Sequence, residues 1–191
     1  MRDLSWLPVG ILVSGALCFS CFVWTTLRHF VRKPGQTSGA WVVSLLSLAG
    51  FLLFLLSSLT KPPNRFWPLT VVLFGVSGLL WAWTLTRTKV SRPTLAFTED
   101  EPCFLMDDGP YALVRHPFYT AYMIFWIGAA VTIESIAGWL ILTFLAIFYW
   151  AAARHEEKKF ASSALAVPYG KYAAHTGRFI PKLLYRRAAW D

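Results

Sequence analysis

The chain has 191 residues, of which 56% are hydrophobic and only 15% charged, and it contains 10 tryptophans. That balance excludes an ordinary soluble domain, where about 25% of residues are charged. The formal net charge of +8 does not point to nucleic acid, because no soluble basic domain is present to carry a footprint.

The apolar residues fall in blocks rather than in stripes, and five segments are drawn in chain order. The first runs from about Leu4 to Leu27. It lacks a basic leader and a clean small-x-small cleavage site, so it reads as a retained span rather than a signal peptide. The second covers about Ala40–Leu59 and the third about Trp67–Thr86. The fourth and fifth, Phe118–Ile133 and Ile136–Ala153, are shorter, and Glu134-Ser135 alone separates them, which predicts a tight helical hairpin. Blocks of about 18 to 20 apolar residues match a ~30 Å hydrocarbon core. Backbone polar groups at that depth must be satisfied within the segment, so the expected fold is all-α. The expectation is a polytopic integral membrane protein of about five transmembrane helices, with a C-terminal helical hairpin and a cytoplasmic C-terminal segment. It reads as one domain over 1–191, with three spans and a loop in 1–100 and the hairpin and tail in 101–191.

The loops carry proline and glycine punctuation at Lys33-Pro34-Gly35, Lys61-Pro62-Pro63-Asn64 and Ser91-Arg92-Pro93. Arg2, Lys61 and Arg65 fall on one side of the membrane, and the remainder of the 18 Lys and Arg fall on the other. The positive-inside rule then puts the N-terminus outside and the C-terminus in the cytoplasm. The loop from Val90 to Asp108 carries an acidic patch, Glu99-Asp100-Glu101 with Asp107-Asp108. It is read either as a solvated connector or as a lid over a cytoplasmic site. From Lys158 onward, aromatic residues alternate with Lys and Arg, which suits a tail lying against anionic headgroups. Cys18 and Cys21 lie inside the first apolar block and Cys103 lies far from both, so no disulfide framework is implied.

Two polar clusters stand where hydrocarbon begins, a costly placement that marks candidate functional sites. The first is Tyr111 with Arg115-His116-Pro117-Phe118-Tyr119. Pro117 suits the first turn of a helix. Arg115 reads either as a snorkelling interfacial anchor or as part of a site, whereas His116 makes a poor anchor. The second is Arg154-His155-Glu156-Glu157 at the end of the fifth segment. Adjacent carboxylates on a helix point about 100° apart. One of them is expected to face a site while the other pairs with Lys159 or another base. The four histidines, His29, His116, His155 and His175, are scattered, and their spacing gives no support for a metal site. No phosphate-binding glycine loop, nucleophile elbow or HExxH motif is present.

Gly109-Pro110-Tyr111, then Arg115-His116-Pro117 and Tyr119, resembles the G-P-Y-x-x-x-R-H-P-x-Y signature of the isoprenylcysteine carboxyl methyltransferase-like family, which phospholipid N-methyltransferases share. Arg154-x-Glu156-Glu157 resembles that family's Arg-x-Glu-Glu. Pro168-Tyr169-x-x-Tyr172 with Thr176-x-Arg178-Phe179-Ile180-Pro181 resembles its closing motif. The likeness covers roughly 107–182. It implies an S-adenosylmethionine-dependent membrane methyltransferase with a lipophilic or lipidated substrate that enters from the bilayer. By motif, Tyr111, His116, Pro117 and Tyr119 line the cofactor pocket, and Glu156 or Glu157 holds the methionyl ammonium. Arg154 and Arg178 hold a carboxylate of cofactor or substrate, and His116 or a Glu assists if the acceptor must lose a proton. Many relatives carry Gly where this chain has Ala121, and Gly128 further along the helix is the other position expected to permit close approach. Substituting Glu157 or His116 is expected to weaken cofactor binding with the fold intact. Two other readings accompany this one: an NADPH-dependent sterol-type reductase with a similar Arg-His-Pro-x-Tyr hairpin, and a non-catalytic protein of the same fold.

Overall fold

The structure is a computed structural model, and it describes residues 7–30, 38–89, 93 and 102–182. Among these the fold is all-helical. Helix α1, Leu7–Trp24, runs on into a π turn, Thr25–His29. Then come α2, Ser38–Thr60, and α3, Trp67–Arg87. A single 3-10 turn, Gly109–Ala112, precedes α4, Pro117–Ile133. Helices α5, Ile136–Ala161, and α6, Ala166–His175, complete the order. The stretches containing α1, α2, α3 and α5 are long and apolar enough to cross a membrane, and α4 is a shorter apolar helix. The chain is a polytopic integral membrane protein, as the apolar blocks predict. The acidic run Glu99-Asp100-Glu101, and with it most of the expected lid, lies outside the described residues.

Helix α4 has 17 residues, which makes it ~25 Å long at 1.5 Å per residue. It is the most enclosed of the helices. Phe118, Ala121, Tyr122, Phe125, Trp126, Ala129 and Ile133 are all buried. Helices α1, α2, α3 and α5 surround it and turn exposed side chains such as Leu17, Leu45, Leu79 and Ile147 outward. A helix shielded in this way need not match the hydrocarbon thickness, which is why its shorter length is tolerated. Apolar lipid provides no hydrophobic drive between helices, so close packing and interhelical hydrogen bonds hold the bundle. An aromatic core, in which Phe74 stacks on Phe125 at 5.1 Å and meets Phe54 edge-on at 5.8 Å, supplies the packing. Ser77 donates to the Ala121 carbonyl at 2.7 Å, Trp81 Nε1 to Thr25 Oγ1 at 2.8 Å, and His29 Nε2 lies 2.8 Å from Thr88 Oγ1.

Two details differ from the sequence expectation. At Gly128 a Cβ would stand 2.9 Å from the Phe74 ring, so this glycine lets α3 close on α4 and serves helix packing. The aromatic face of the tail is likewise used by the protein. Tyr169 stacks on Phe160 at 4.8 Å, and Tyr172 donates to the Tyr111 carbonyl at 2.7 Å. These rings find partners on α5 and on the loop before α4, and among the described residues of the tail Val167 and Ile180 are large apolar side chains that stay exposed.

The hairpin between α4 and α5 turns on Glu134, the one non-glycine residue with positive φ among those described (51°). The last carbonyls of α4 are capped from the α2–α3 loop: Lys61 Nζ donates to Ile133 at 3.2 Å and Asn64 Nδ2 to Val131 at 2.6 Å. A left-handed residue that ends a helix is usually glycine, because a Cβ is strained there. Glu134→Gly is therefore expected to raise the thermal midpoint in detergent, by the equivalent of roughly 0.5–1 kcal/mol. A scan of static light scattering against temperature reads this directly, and a lowered midpoint would mean that the Glu134 side chain contributes more than its backbone costs.

Candidate active site

The site is built at the end of the bundle where α1, α3 and α5 finish and α4 begins. A residue before proline avoids the helical region, and His116 accordingly stays off the helix at the N-cap of α4, with φ −128° and ψ 66°. Pro117 opens the helix at N1, where its missing N–H costs nothing. Gly109 has φ +57°, and a Cβ there would come within 3.0 Å of the Arg87 side chain. Only glycine fits that turn easily, and the turn is further tied down by the Arg87–Asp108 ion pair. Helix α5 continues through Ala161 and so carries Glu156 and Glu157 past the apolar stretch. After α6 the chain returns past the loop before α4. Val114 and Gly177 form a parallel bridge, Arg115 N donates to the Gly177 carbonyl at 2.8 Å, and His116 N donates to that of Arg178 at 3.2 Å. That bridge sets Arg178 beside Arg115 and His116.

Glu157 is the hub. Its Oε1 accepts from Arg115 Nε at 3.1 Å and Nη2 at 2.8 Å, from His116 Nε2 at 3.2 Å and from Arg178 Nε at 2.9 Å. Its Oε2 accepts from Arg178 Nη2 at 2.5 Å. Arg115 goes on to donate through Nη1 to the carbonyls of Ala173 and Thr176, at 3.2 and 2.6 Å. Glu156 is held more lightly. Its Oε1 accepts from the Tyr119 hydroxyl at 2.5 Å, and its Oε2 lies 3.4 Å from His116 Nδ1. The two carboxylates thus meet in one cluster, although helix geometry turns them apart. The His116 ring spans the gap, with one nitrogen toward each. With both nitrogens facing carboxylates, both must donate, which is the imidazolium form.

Burial alone would push the His116 pKa down, but its hydrogen bonds to Glu156 and Glu157 outweigh burial and hold it above its ordinary 6.5. A pKa raised in the folded state gives stabilisation that is fully present below the ordinary value and is lost as pH rises through the raised one. Docking of 176–182 onto the cluster is therefore expected to loosen from neutral toward alkaline pH. Amide exchange of that segment measured against pH checks this, and His116→Gln should flatten the profile. The hydrogen bonds that Arg178 donates to Glu157 raise the pKa of Arg178 above its ordinary value.

The sequence-derived candidates do not all converge. His116, Tyr119, Glu156, Glu157 and Arg178 come together, with Pro117 setting the start of α4. Tyr111 flanks the cluster, with its carbonyl held by Tyr172. Arg154 lies apart: it is exposed, with its guanidinium 4.9 Å over the Trp150 ring one turn back. That ring offers it a cation–π partner, while Arg115 and Arg178 already neutralise Glu157. Ala121 is fully buried and its carbonyl is taken by Ser77 of α3. Arg115 was legible as a neighbour of His116, but the anchoring reading competed with it. Phe179, 5.9 Å from the His116 ring, and Tyr149, stacked on Tyr119 at 5.6 Å, were missed. Tyr149 sits seven positions before Glu156, two helical turns along the same face, and that spacing was the available signal.

Tyr119 also lines a second space. A cavity of about 460 Å³ lies between α1, α2, α4 and α5, and its walls include Phe22, Tyr122, Trp126 and Tyr149. The polar cluster and the apolar cavity therefore share a side chain. Among the described residues no group of three or more His, Cys, Asp or Glu is placed to hold a metal ion.

Residues 67–166 match the phospholipid methyltransferase family, a stretch that contains the whole of α3, α4 and α5. The chain belongs to that family. Over 83 residues it is 34% identical to the cobalt-zinc-cadmium resistance protein CzcN of Cupriavidus metallidurans, covering 43% of this chain and 38% of that one. Over 111 residues it is 32% identical to the methanethiol S-methyltransferase of a Pseudomonas species, covering 58% of this chain and 36% of that one. The matched region is thus little more than a third of each relative's length.

The donor set of the cluster fits the amino-acid end of S-adenosylmethionine, which carries an ammonium and a carboxylate. Glu157 is saturated by Arg115, His116 and Arg178 and is only 14% exposed, whereas Glu156 is 30% exposed. A carboxylate offers about four lone-pair sites, so Glu156 retains acceptor capacity. Arg178, also 30% exposed, spends its Nε and one Nη on Glu157 and keeps its other N–H groups.

Proposed function

We propose that this chain transfers a methyl group from S-adenosylmethionine to a lipophilic acceptor held at the membrane boundary. The observation that carries the reading is Tyr119, which joins the Glu156–His116 cluster to the intramembrane cavity. When bound, the cofactor supplies an electrophilic methyl group on a sulfonium. Glu156 accepts the methionyl ammonium, and Arg178 donates to the methionyl carboxylate. Glu157 and Arg115 act behind them, fastening α5, the loop before α4 and the C-terminal segment into one frame. His116, held as imidazolium, orients Glu156 and has no free lone pair with which to take a proton. An acceptor that must lose one therefore gives it to Glu156.

This division of labour suits the reaction. Cation and nucleophile partly neutralise each other in the transition state, so the protein's task is alignment and exclusion of water. No nucleophilic side chain is needed. The basic residues gathered at the cluster end support a cytoplasmic site with the N-terminus outside. Family membership, together with a relative named for methyl transfer to methanethiol, favours a methyl donor over a nicotinamide.

Calorimetric titration of purified protein with S-adenosylhomocysteine, with NADPH in parallel, tests the reading. Micromolar binding of the first alone is expected. Binding of NADPH alone would move the chain to the reductases, and silence from folded protein in both titrations would leave a non-catalytic role.

A further inference from the structure

We propose that Tyr149 is a positioning residue for the site: its ring backs Tyr119 and so keeps the Tyr119 hydroxyl on Glu156. This rests on the methyl-transfer reading, in which Glu156 accepts the methionyl ammonium. Tyr149 carries no charge and stands outside both polar clusters of the sequence. Its ring lies nearly parallel to that of Tyr119, with centroids 5.6 Å apart and planes 13° from parallel. The His116 ring also lies nearly parallel to Tyr119, at 5.7 Å and 17°. Both separations are those of offset stacking. His116, as imidazolium, adds a cation–π attraction to the phenol.

Tyr119 meets Glu156 through its hydroxyl at 2.5 Å, at the end of the side chain farthest from the backbone. A modest rotation of the ring would carry that oxygen out of hydrogen-bond range. Helix α5 opposes the rotation from two places two turns apart, with Glu156 taking the hydroxyl and Tyr149 backing the ring. Tyr149 is itself fixed. It is only 6% exposed, and its ring meets that of Tyr122 at 5.9 Å. Tyr122 in turn meets Phe22 of α1 at 4.7 Å. The Tyr149 hydroxyl has Ser47 of α2 and Trp126 of α4 as neighbours. Glu157 is fixed by Arg115 and Arg178. For Glu156 this run of rings from α1, α4 and α5 plays the corresponding part, without placing a second charge beside the carboxylate that is to bind a cation.

The test is a double-mutant cycle in the full chain, read by calorimetric S-adenosylhomocysteine affinity. Tyr149→Leu is expected to weaken binding roughly three- to tenfold, the weight of one aromatic pair. Tyr149→Met takes its place if the leucine variant does not fold. Tyr149→Phe keeps the ring and should stay within about twofold of wild type. In a Tyr119→Phe background there is no hydroxyl left to place, so Tyr149→Leu should cost no further affinity. The full loss repeated in that background would show a residue that merely supports the fold, and it would overturn the proposal. So would a phenylalanine variant as weak as the leucine one. Infrared spectra of protein carrying carbon-13 in the Tyr119 ring read the hydrogen bond without any ligand. The phenol C–O stretch should shift in Tyr149→Leu and hold its place in Tyr149→Phe; an unmoved band in the leucine variant counts against the positioning role. The two readouts separate two failures. A band shift in protein that binds no S-adenosylhomocysteine overturns the methyl-transfer reading, whereas wild-type binding with neither shift nor coupling overturns the role of Tyr149.

Discussion

Glu157→Gln is expected to undock the C-terminal segment and to weaken S-adenosylhomocysteine binding by roughly a hundredfold or more. One carboxylate stands beneath Arg115, His116 and Arg178, and it is mostly buried. Removing one partner of such a pair leaves the others desolvated and unpaired, at a cost of about 3–5 kcal/mol. Glutamine keeps an acceptor oxygen but loses the charge and one of the two forks that Arg178 grips. Arg115 is the side chain most exposed to that loss, because it also holds the Ala173 and Thr176 carbonyls. The sequence led to the expectation of weaker cofactor binding with the fold intact. The geometry changes this, since the residue that ties the site together is also what seats 176–182. Hydrogen exchange of that segment together with calorimetry checks both parts. Native-like protection of 176–182 in the variant would contradict the hub assignment.

Glu156→Gln is expected to behave differently. It should lower S-adenosylhomocysteine affinity by roughly ten- to a hundredfold, the weight of one hydrogen bond to a charged group, while the thermal midpoint and the protection of 176–182 stay near wild type. Glu156 is the more exposed of the pair, and among the described residues Tyr119 and His116 face its carboxylate. Its neighbours already form a stable frame through Glu157. If the two glutamine variants proved interchangeable, the separation of a binding carboxylate from a fastening one would be wrong. Tyr119→Phe sharpens the comparison: it removes the donor to Glu156 without touching charge, and it should reduce affinity by a smaller factor in the same direction.

Much of the fold was legible because membrane solvent imposes strong rules. The second and third apolar blocks became α2 and α3 with ends within two residues of those drawn, since hydrophobic length and flanking charge leave little choice. The turn at Glu134-Ser135 was likewise visible as the only polar break in a long apolar run. Less was legible where an element's role depends on what packs against it. Gly128 and Ala121 looked like cofactor-facing positions, and the bundle uses them against Phe74 and Ser77 instead.

The apolar blocks are enough to establish a helical membrane protein with polar clusters at the boundary, because burial of unpaired charge and backbone in lipid is too costly to occur by chance. The sequence also singled out two clusters, through Tyr111, His116, Tyr119, Glu156 and Glu157, of which the structure brings His116, Tyr119, Glu156 and Glu157 together. Which of these side chains meet depends on long-range packing. Helical spacing alone turns Glu156 away from Glu157 and places Arg154 near Glu157. The return of the chain past Val114 brings in Arg178, and Arg115 together with the His116 ring closes the cluster. Arg154 is left outside, over Trp150. Those partners lie tens of residues apart, and no local pattern encodes which of several basic side chains reaches a given carboxylate first.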